Sequence, residues 1–427
     1  MLGRGAMSST KSGTQQNSAE EKKIDLYSYE YQSDPAPYLR KLREEDPVHW
    51  SSHGFWFLTR YDDVQMVLRD AARFSSAGAS WGTSNPVAKD ATSAEKQGGD
   101  VGKIGNLLRH SFNLSDPPVH TRLRGLVNQA FSRRAAQHKR ERIEEVVHGL
   151  VAAAHAKGRF DLVKDLGFPL PIIVASEIIG IPTADADRFR RSFEEAGVLM
   201  MPIKNQAVLD RGIAAARWQG QYLKDLVEAR RAAPADDLIS HLIDAEEEGE
   251  KLTAPEMMAA IATIFTAAGT TTERLISSGL YLLLSHPDQL AALRADRSLM
   301  AGALDELLRF HHPDQSTSTN RRATCDVALR GKQIKAGDSV RVSLGAANRD
   351  PERFRDPDRF DIRRTDNKHL SFGNGIHFCL GSALSLSETE IMFNAVFDAM
   401  PNLKLITTQP VKDPKRPDRY LEIQVSC

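Results

Sequence analysis

The chain has 427 residues, 41% hydrophobic, 7% aromatic and 26% charged, and its 56 Lys and Arg balance 56 Asp and Glu to a formal charge of zero. That composition excludes a basic nucleic-acid binder and an acidic disordered chain, and it supplies the apolar mass for a large core. Three cysteines cannot make a disulfide framework, and no stretch approaches the roughly 20 apolar residues of a membrane span, so a cytoplasmic protein without an anchor is expected.

Residues 1–24 are rich in Ser, Gln, Lys and Gly and are expected to be a disordered tail before one folded domain, 25–427. VHW (48–50) and FWFLTRY (55–61) flank Ser51-Ser52-His53-Gly54 and read as a hairpin. The polar segment from Ser75 to about Asp100 holds one aromatic, Trp81, and reads as a functional lid. From Pro118 to Pro313 the pattern is helical, broken at Gly158, Pro169, Pro182, Pro202 and Pro234. Thr253-Ala254-Pro255-Glu256 is a capping box. The helix that it opens runs to Ser285, about 31 residues or roughly 46 Å. Apolar residues surround that helix, which places it across the molecular centre. DVALRGKQI (326–334) and SVRVSLG (339–345) read as two strands joined at Lys335–Asp338, and a last helix covers about Leu380 to Met400. The fold class is mainly α with a smaller β region, α+β, in a single large domain.

The segment Phe372-Gly373-Asn374-Gly375-Ile376-His377-Phe378-Cys379-Leu380-Gly381 carries the chemistry. Cys379 lies just before the last helix, whose positive end and free N–H groups are expected to lower the thiol's pKa. Gly373, Gly375 and Gly381 leave room for a flat, bulky group or adopt positive φ. A thiolate beside such space suits axial haem ligation; a buried structural cysteine is the alternative.

The ten residues resemble the haem-binding signature of the cytochrome P450 family, F-x-x-G-x-x-x-C-x-G, at Phe372, Gly375, Cys379 and Gly381. The resemblance extends from about residue 26 to the C-terminus. It implies a P450-like domain with the long helix crossing the haem, haem b as cofactor, and Cys379 as iron ligand. Glu306-Leu307-Leu308-Arg309 is the family's E-x-x-R, which the resemblance completes with Arg359 of Pro357-Asp358-Arg359-Phe360 as a structural triad. His120 and Arg124, four apart on one helical face, are implied to reach a haem propionate together with Arg321 and His377.

Ala268-Gly269-Thr270-Thr271-Thr272 matches the family's oxygen groove, A/G-G-x-D/E-T. It is expected as a local break in the helix, with Thr hydroxyls bonding carbonyls one turn back. Thr272 is the implied alcohol at the oxygen site, and Thr271 stands where the family has an acid. A hydroxyl can pass a proton but cannot store one at neutral pH, so water, a substrate hydroxyl or another carboxylate must supply it. Trp81, Phe265, Ala268, Ser316 and Thr317, with the Leu199–Pro202 break, are the implied walls of the substrate pocket.

The implied activity inserts one oxygen atom of O2 into a small lipophilic substrate, by hydroxylation or epoxidation, as a tailoring step in bacterial small-molecule metabolism. No flavin, nicotinamide or iron–sulfur motif is visible, so electrons are expected from a ferredoxin and its reductase, or a flavodoxin-type donor. The basic run Arg133, Arg134, Lys139, Arg140 and Arg142 is a candidate dock; a solvated helix face is the alternative. A monomer without nucleic-acid partners is expected. Two rival activities stay open: a peroxide-driven peroxygenase and a non-catalytic haem-thiolate gas sensor.

Overall fold

The computed structural model describes residues 24–77, 110–128, 131, 137–197, 205–247, 252–313, 319–407, 409–414 and 416–427. Residues 1–23 of the expected tail and most of the expected lid, with Trp81, fall outside these. So do Arg133, Arg134, Leu199–Pro202, Ser316 and Thr317.

The predicted hairpin forms as β1 (Val48–Trp50) and β2 (Trp56–Leu58), paired antiparallel. Helix α1 (Tyr61–Arg69) follows, then β3 (Phe74–Ser75). The helical region includes α2 (Val119–Asn128), α3 (Pro169–Ile179), α4 (Thr183–Gly197), α5 (Ala254–Leu284) and α6 (Met300–Phe310). Strands β4 (Thr319–Ala323), β5 (Val327–Leu329), β6 (Lys332–Ile334) and β7 (Ser339–Val342) precede the last long helix, α7 (Ser382–Ala399). The five-stranded sheet has the order β1-β2-β7-β4-β3, with β2 and β7 parallel and the other neighbours antiparallel. Arg321 of β4 faces Val340 of β7 in this sheet.

One expectation is corrected here. Residues 326–334 are two strands, not one: β5 and β6 form their own hairpin around Arg330 (φ 46°) and Gly331 (φ 74°). Two successive positive φ values make a tight turn whose twist matches antiparallel strands.

Helix α5 has the 31 residues expected. Glu256 N donates to Thr253 Oγ1 at 3.4 Å and Thr253 N donates to Glu256 Oε2 at 2.8 Å, which closes the capping box. The Arg122 guanidinium of α2 pairs with the same Glu256, tying the two helices. The helix packs against α3 and α7 within the largest apolar core. Gly279 allows the approach to α7, because a Cβ there would stand 2.9 Å from Phe393 Cζ. Among the described residues no single helix is long and apolar enough to cross a membrane.

Candidate active site

The loop that carries Cys379 is held by its own backbone. Gly373 N donates to Leu370 O at 2.7 Å, Phe378 N to Gly375 O at 3.1 Å, and Cys379 N to Phe372 O at 2.8 Å. Gly373 and Gly375 both have φ of 71°, which favours glycine. At Gly375 a side chain is also excluded by packing, since a Cβ would stand 2.5 Å from Leu68 O of α1. Gly381 differs: a Cβ there would meet nothing within 4 Å, so this glycine borders open space.

Cys379 precedes the N-terminus of α7, and the N–H groups of Gly381 and Ser382 donate to its sulfur. Burial pushes the thiol up, while these amides and the Arg124 guanidinium pull it down. The expectation of a thiol lowered by the helix end is corrected: desolvation is the larger effect. The amides still favour a charged sulfur, and a bound metal ion deprotonates a coordinating thiol outright.

Next to the loop, α2, β4 and the Cys379 segment bring together His120, Arg124, Arg321 and His377. The two imidazole rings are 4.3 Å apart between centroids. His120 is 3% exposed, and neither of its ring nitrogens has a hydrogen-bond partner among the described residues; nor has His377 Nε2. Arg124 Nη2 donates to Phe378 O at 2.5 Å. Burial lowers Arg321 to about 10 and, with Arg321 beside it, His377 to about 3; burial also lowers His120. Among the described residues the acid acting on this cluster is Asp116, which accepts from Ser76 N at 2.8 Å and from the Ser75 hydroxyl. Buried ring nitrogens without partners beside two desolvated guanidinium groups are costly unless an acceptor joins them. The two carboxylates of a planar metal-bearing ligand held by Cys379 would supply acceptors to this set, and Gly381 borders open space, so the residues fit a haem.

Residues 202–415 match the family described as cytochrome P450. The chain is 39% identical over 383 residues to cytochrome P450 monooxygenase PikC of Streptomyces venezuelae, covering 88% of this chain and 86% of that one. The chain belongs to the cytochrome P450 family. This P450 is also 35% identical over 371 residues to the 6-deoxyerythronolide B hydroxylase of Saccharopolyspora erythraea, covering 86% of this chain and 88% of that one. Its fold superposes on the crystal structure of CalO2 with a TM-score of 0.84 at 29% identity, covering 95% of this chain and 98% of that one. The protein is therefore a haem-thiolate monooxygenase of bacterial type, and its cofactor is haem with a cysteine thiolate on the iron.

Several expected site residues of this P450 stand differently in the structure. Helix α5 continues unbroken through Ala268–Thr272, against the expected local break. The expected hydroxyl bonds are present: Thr271 Oγ1 donates to Ala267 O at 2.9 Å and Thr270 Oγ1 to Thr266 O at 3.4 Å. Gly269 faces α3, where a Cβ would stand 2.7 Å from Ile172 Cδ1, so it serves helix packing. Phe265, 2% exposed, packs edge-on against Phe189 at 4.8 Å and beside Phe193 at 6.0 Å, both of α4. Ala268 is half-buried and Thr272 is buried.

The structural triad is corrected too. Glu306 and Arg309 pair fully buried, at 2.7 and 2.8 Å. The second guanidinium on Glu306 is that of Arg364, at 3.1 Å, with Asn367 Nδ2 also at 3.1 Å. Arg359 is exposed and offers only its carbonyl, to Arg309 Nη2 at 3.2 Å. Burial of Phe360 and Ile362 turns their exposed neighbours Arg359 and Arg363 outward and leaves Arg364 beside Glu306. Of the basic run, Arg140 pairs with Glu144 at 2.9 Å, and Arg142 pairs with Glu145 at 2.6 Å and Glu177 at 2.8 Å. These arginines are neutralised by their own helix and by α3, which supports the solvated-face reading. Asp116 was missed as a site residue. Its signal was its place four residues before His120, whose N donates to Asp116 O at 2.9 Å.

Proposed function

We propose that Cys379 is the iron ligand and that His120, Arg124, Arg321 and His377 bind the two haem propionates. The observation that carries this is the pairing of an amide-solvated sulfur with four cationic or donor side chains, three of whose ring nitrogens are buried and unpartnered. When bound, the haem supplies oxygen activation and insertion of one oxygen atom into a C–H or C=C bond. The chain from residue 25 to 427 acts as one catalytic domain in the cytoplasm. Ala268 and Thr272 of α5 would line the oxygen side of the haem, where Thr272 Oγ1 would orient a water molecule. Thr271 Oγ1, with one hydrogen bond given to Ala267 O, can accept a proton from water and pass its own on, so proton delivery depends on water rather than on a fixed acid.

The substrate is a small lipophilic molecule of the polyketide kind, as the name of the similar polyketide biosynthesis cytochrome P450 PksS of Bacillus subtilis suggests. Electrons come from a separate ferredoxin and its reductase. The test is turnover of a macrolactone panel by the haem-loaded protein under 18O2 with that redox pair. One labelled oxygen per product molecule is expected. Turnover with hydrogen peroxide but none with the redox pair would overturn the O2-dependent reading in favour of a peroxygenase. No product by either route, with no ligand perturbing the haem spectrum, would favour a sensor.

A further inference from the structure

A cavity of about 120 Å³ opens between α3, α4 and α5, with Phe168, Ile172 and Phe265 among its walls and Glu273 and Arg419 at its polar end. Its size approaches the roughly 150 Å³ of an engineered apolar cavity that admits benzene. From α5 it takes Phe265, Thr266, Gly269, Thr270 and Glu273 but neither Ala268 nor Thr272. At about 100° per residue, Thr266, Thr270 and Glu273 are turned about 100° or more from Ala268 and Thr272, so the polar end of the cavity lies away from the proposed oxygen site.

The polar end is built and incomplete. Glu273 is 1% exposed, and its Oε2 accepts no hydrogen bond among the described residues. Arg419 Nε is also buried without a partner, and it stands 3.9 Å from that oxygen. That distance is an ion pair without a direct hydrogen bond. It leaves one acceptor and one donor side by side. Burial pushes the Glu273 carboxyl up, against the guanidinium groups of Arg419 and Arg274 and the Ser277 hydroxyl.

A hydroxyl group completes both partners at once. Its O–H donates to Glu273 Oε2 while its oxygen accepts from Arg419 Nε–H. Water can do the same but leaves the aromatic and aliphatic walls uncovered. We propose that this cavity is a second small-molecule site, for a compact apolar molecule bearing one hydroxyl group, such as a phenol or a short alcohol. The site does not depend on the haem assignment, because no residue of the proposed haem cradle lines it.

The test is 19F NMR titration of 4-fluorophenol and fluorobenzene into the haem-loaded protein, with saturating imidazole holding the iron and the Soret band monitored throughout. Binding of 4-fluorophenol with imidazole present is expected, with fluorobenzene about tenfold weaker for want of the hydroxyl. Thr266→Phe, which fills the cavity from α5, is expected to abolish binding. Glu273→Leu is expected to weaken the phenol and leave fluorobenzene unchanged. Loss of 4-fluorophenol binding when imidazole is added would overturn the proposal. So would equal affinity for the two probes, no binding of either, or unchanged binding in Thr266→Phe with an intact Soret band.

Discussion

Replacing Arg364 should destabilise this P450 far more than replacing Arg359, although the sequence motif points to Arg359. Glu306 and Arg309 are each 0% exposed, so the carboxylate depends on its partners for solvation. Arg364 Nε supplies one charged contact to Glu306 at 3.1 Å. Its remaining donors reach Arg355 O at 2.7 Å, Asp356 O at 3.2 Å and Arg359 O at 3.3 Å, so one side chain pins the segment across from α6. Hydrogen bonds to charged groups are worth about 1.5–3 kcal/mol each, and three neutral acceptors near the surface add less, so Arg364→Ala should cost about 2–4 kcal/mol. Arg309→Ala removes the bidentate partner and should cost about 3–5 kcal/mol. Arg359→Ala leaves its carbonyl in place and should stay within about 0.5 kcal/mol of the parent. Guanidinium unfolding of the haem-loaded variants, followed by tryptophan fluorescence with slopes compared, measures all three. An Arg359→Ala variant as unstable as Arg364→Ala would refute the assignment.

Two glycines of the cysteine loop should separate fold from cofactor. Gly375→Ala meets Leu68 O and needs a positive φ, so it should lose well over 1 kcal/mol of stability; Gly381→Ala meets no protein atom, so it should fold normally yet retain haem poorly. Thermal unfolding and haem content, measured on both, decide this. Glu388 of α7 is buried with Oε2 unpartnered, and burial raises its carboxyl to about 8. Its folded state therefore holds a proton that the unfolded chain releases above about 4.5. The stability of the neutral form is full below that value and is lost as pH rises through about 8, with a limiting slope of about 1.4 kcal/mol per pH unit. Glu388→Gln should be more stable than the parent at pH 8 and little different at pH 5; equal pH profiles from denaturant unfolding would exclude the effect. Thr271→Asp restores a carboxyl at the family's acid position and should raise the ratio of product to leaked hydrogen peroxide; unchanged coupling counts against water-dependent proton delivery.

Local chemistry was legible where one pattern dictated one outcome. The capping box fixed the start of α5, and the glycine spacing around Cys379 marked a loop with positive φ. The His120–Arg124 pair shares a helical face, which spacing alone establishes. What the sequence hid depends on how elements rotate against each other. Gly269 is expected in the oxygen groove and Phe265 in the wall of the substrate pocket, but packing of α3 and α4 claims their side of the helix. Arg359 and Arg364 are equivalent as charges until burial of Phe360 and Ile362 chooses between them. The thiol's direction was missed because a sequence shows the helix end but not the depth of burial. The Arg330-Gly331 turn was readable from its glycine, and the longer Lys335–Asp338 turn was preferred over it.

The central claim is that Cys379 holds the haem iron as a thiolate. The most direct test is the reduced-plus-CO difference spectrum of the parent and of Cys379→Ala. The account predicts a red-shifted, thiolate-type Soret band in the parent that disappears in the variant. A histidine-type band in the parent, or a thiolate-type band that persists without Cys379, would contradict it.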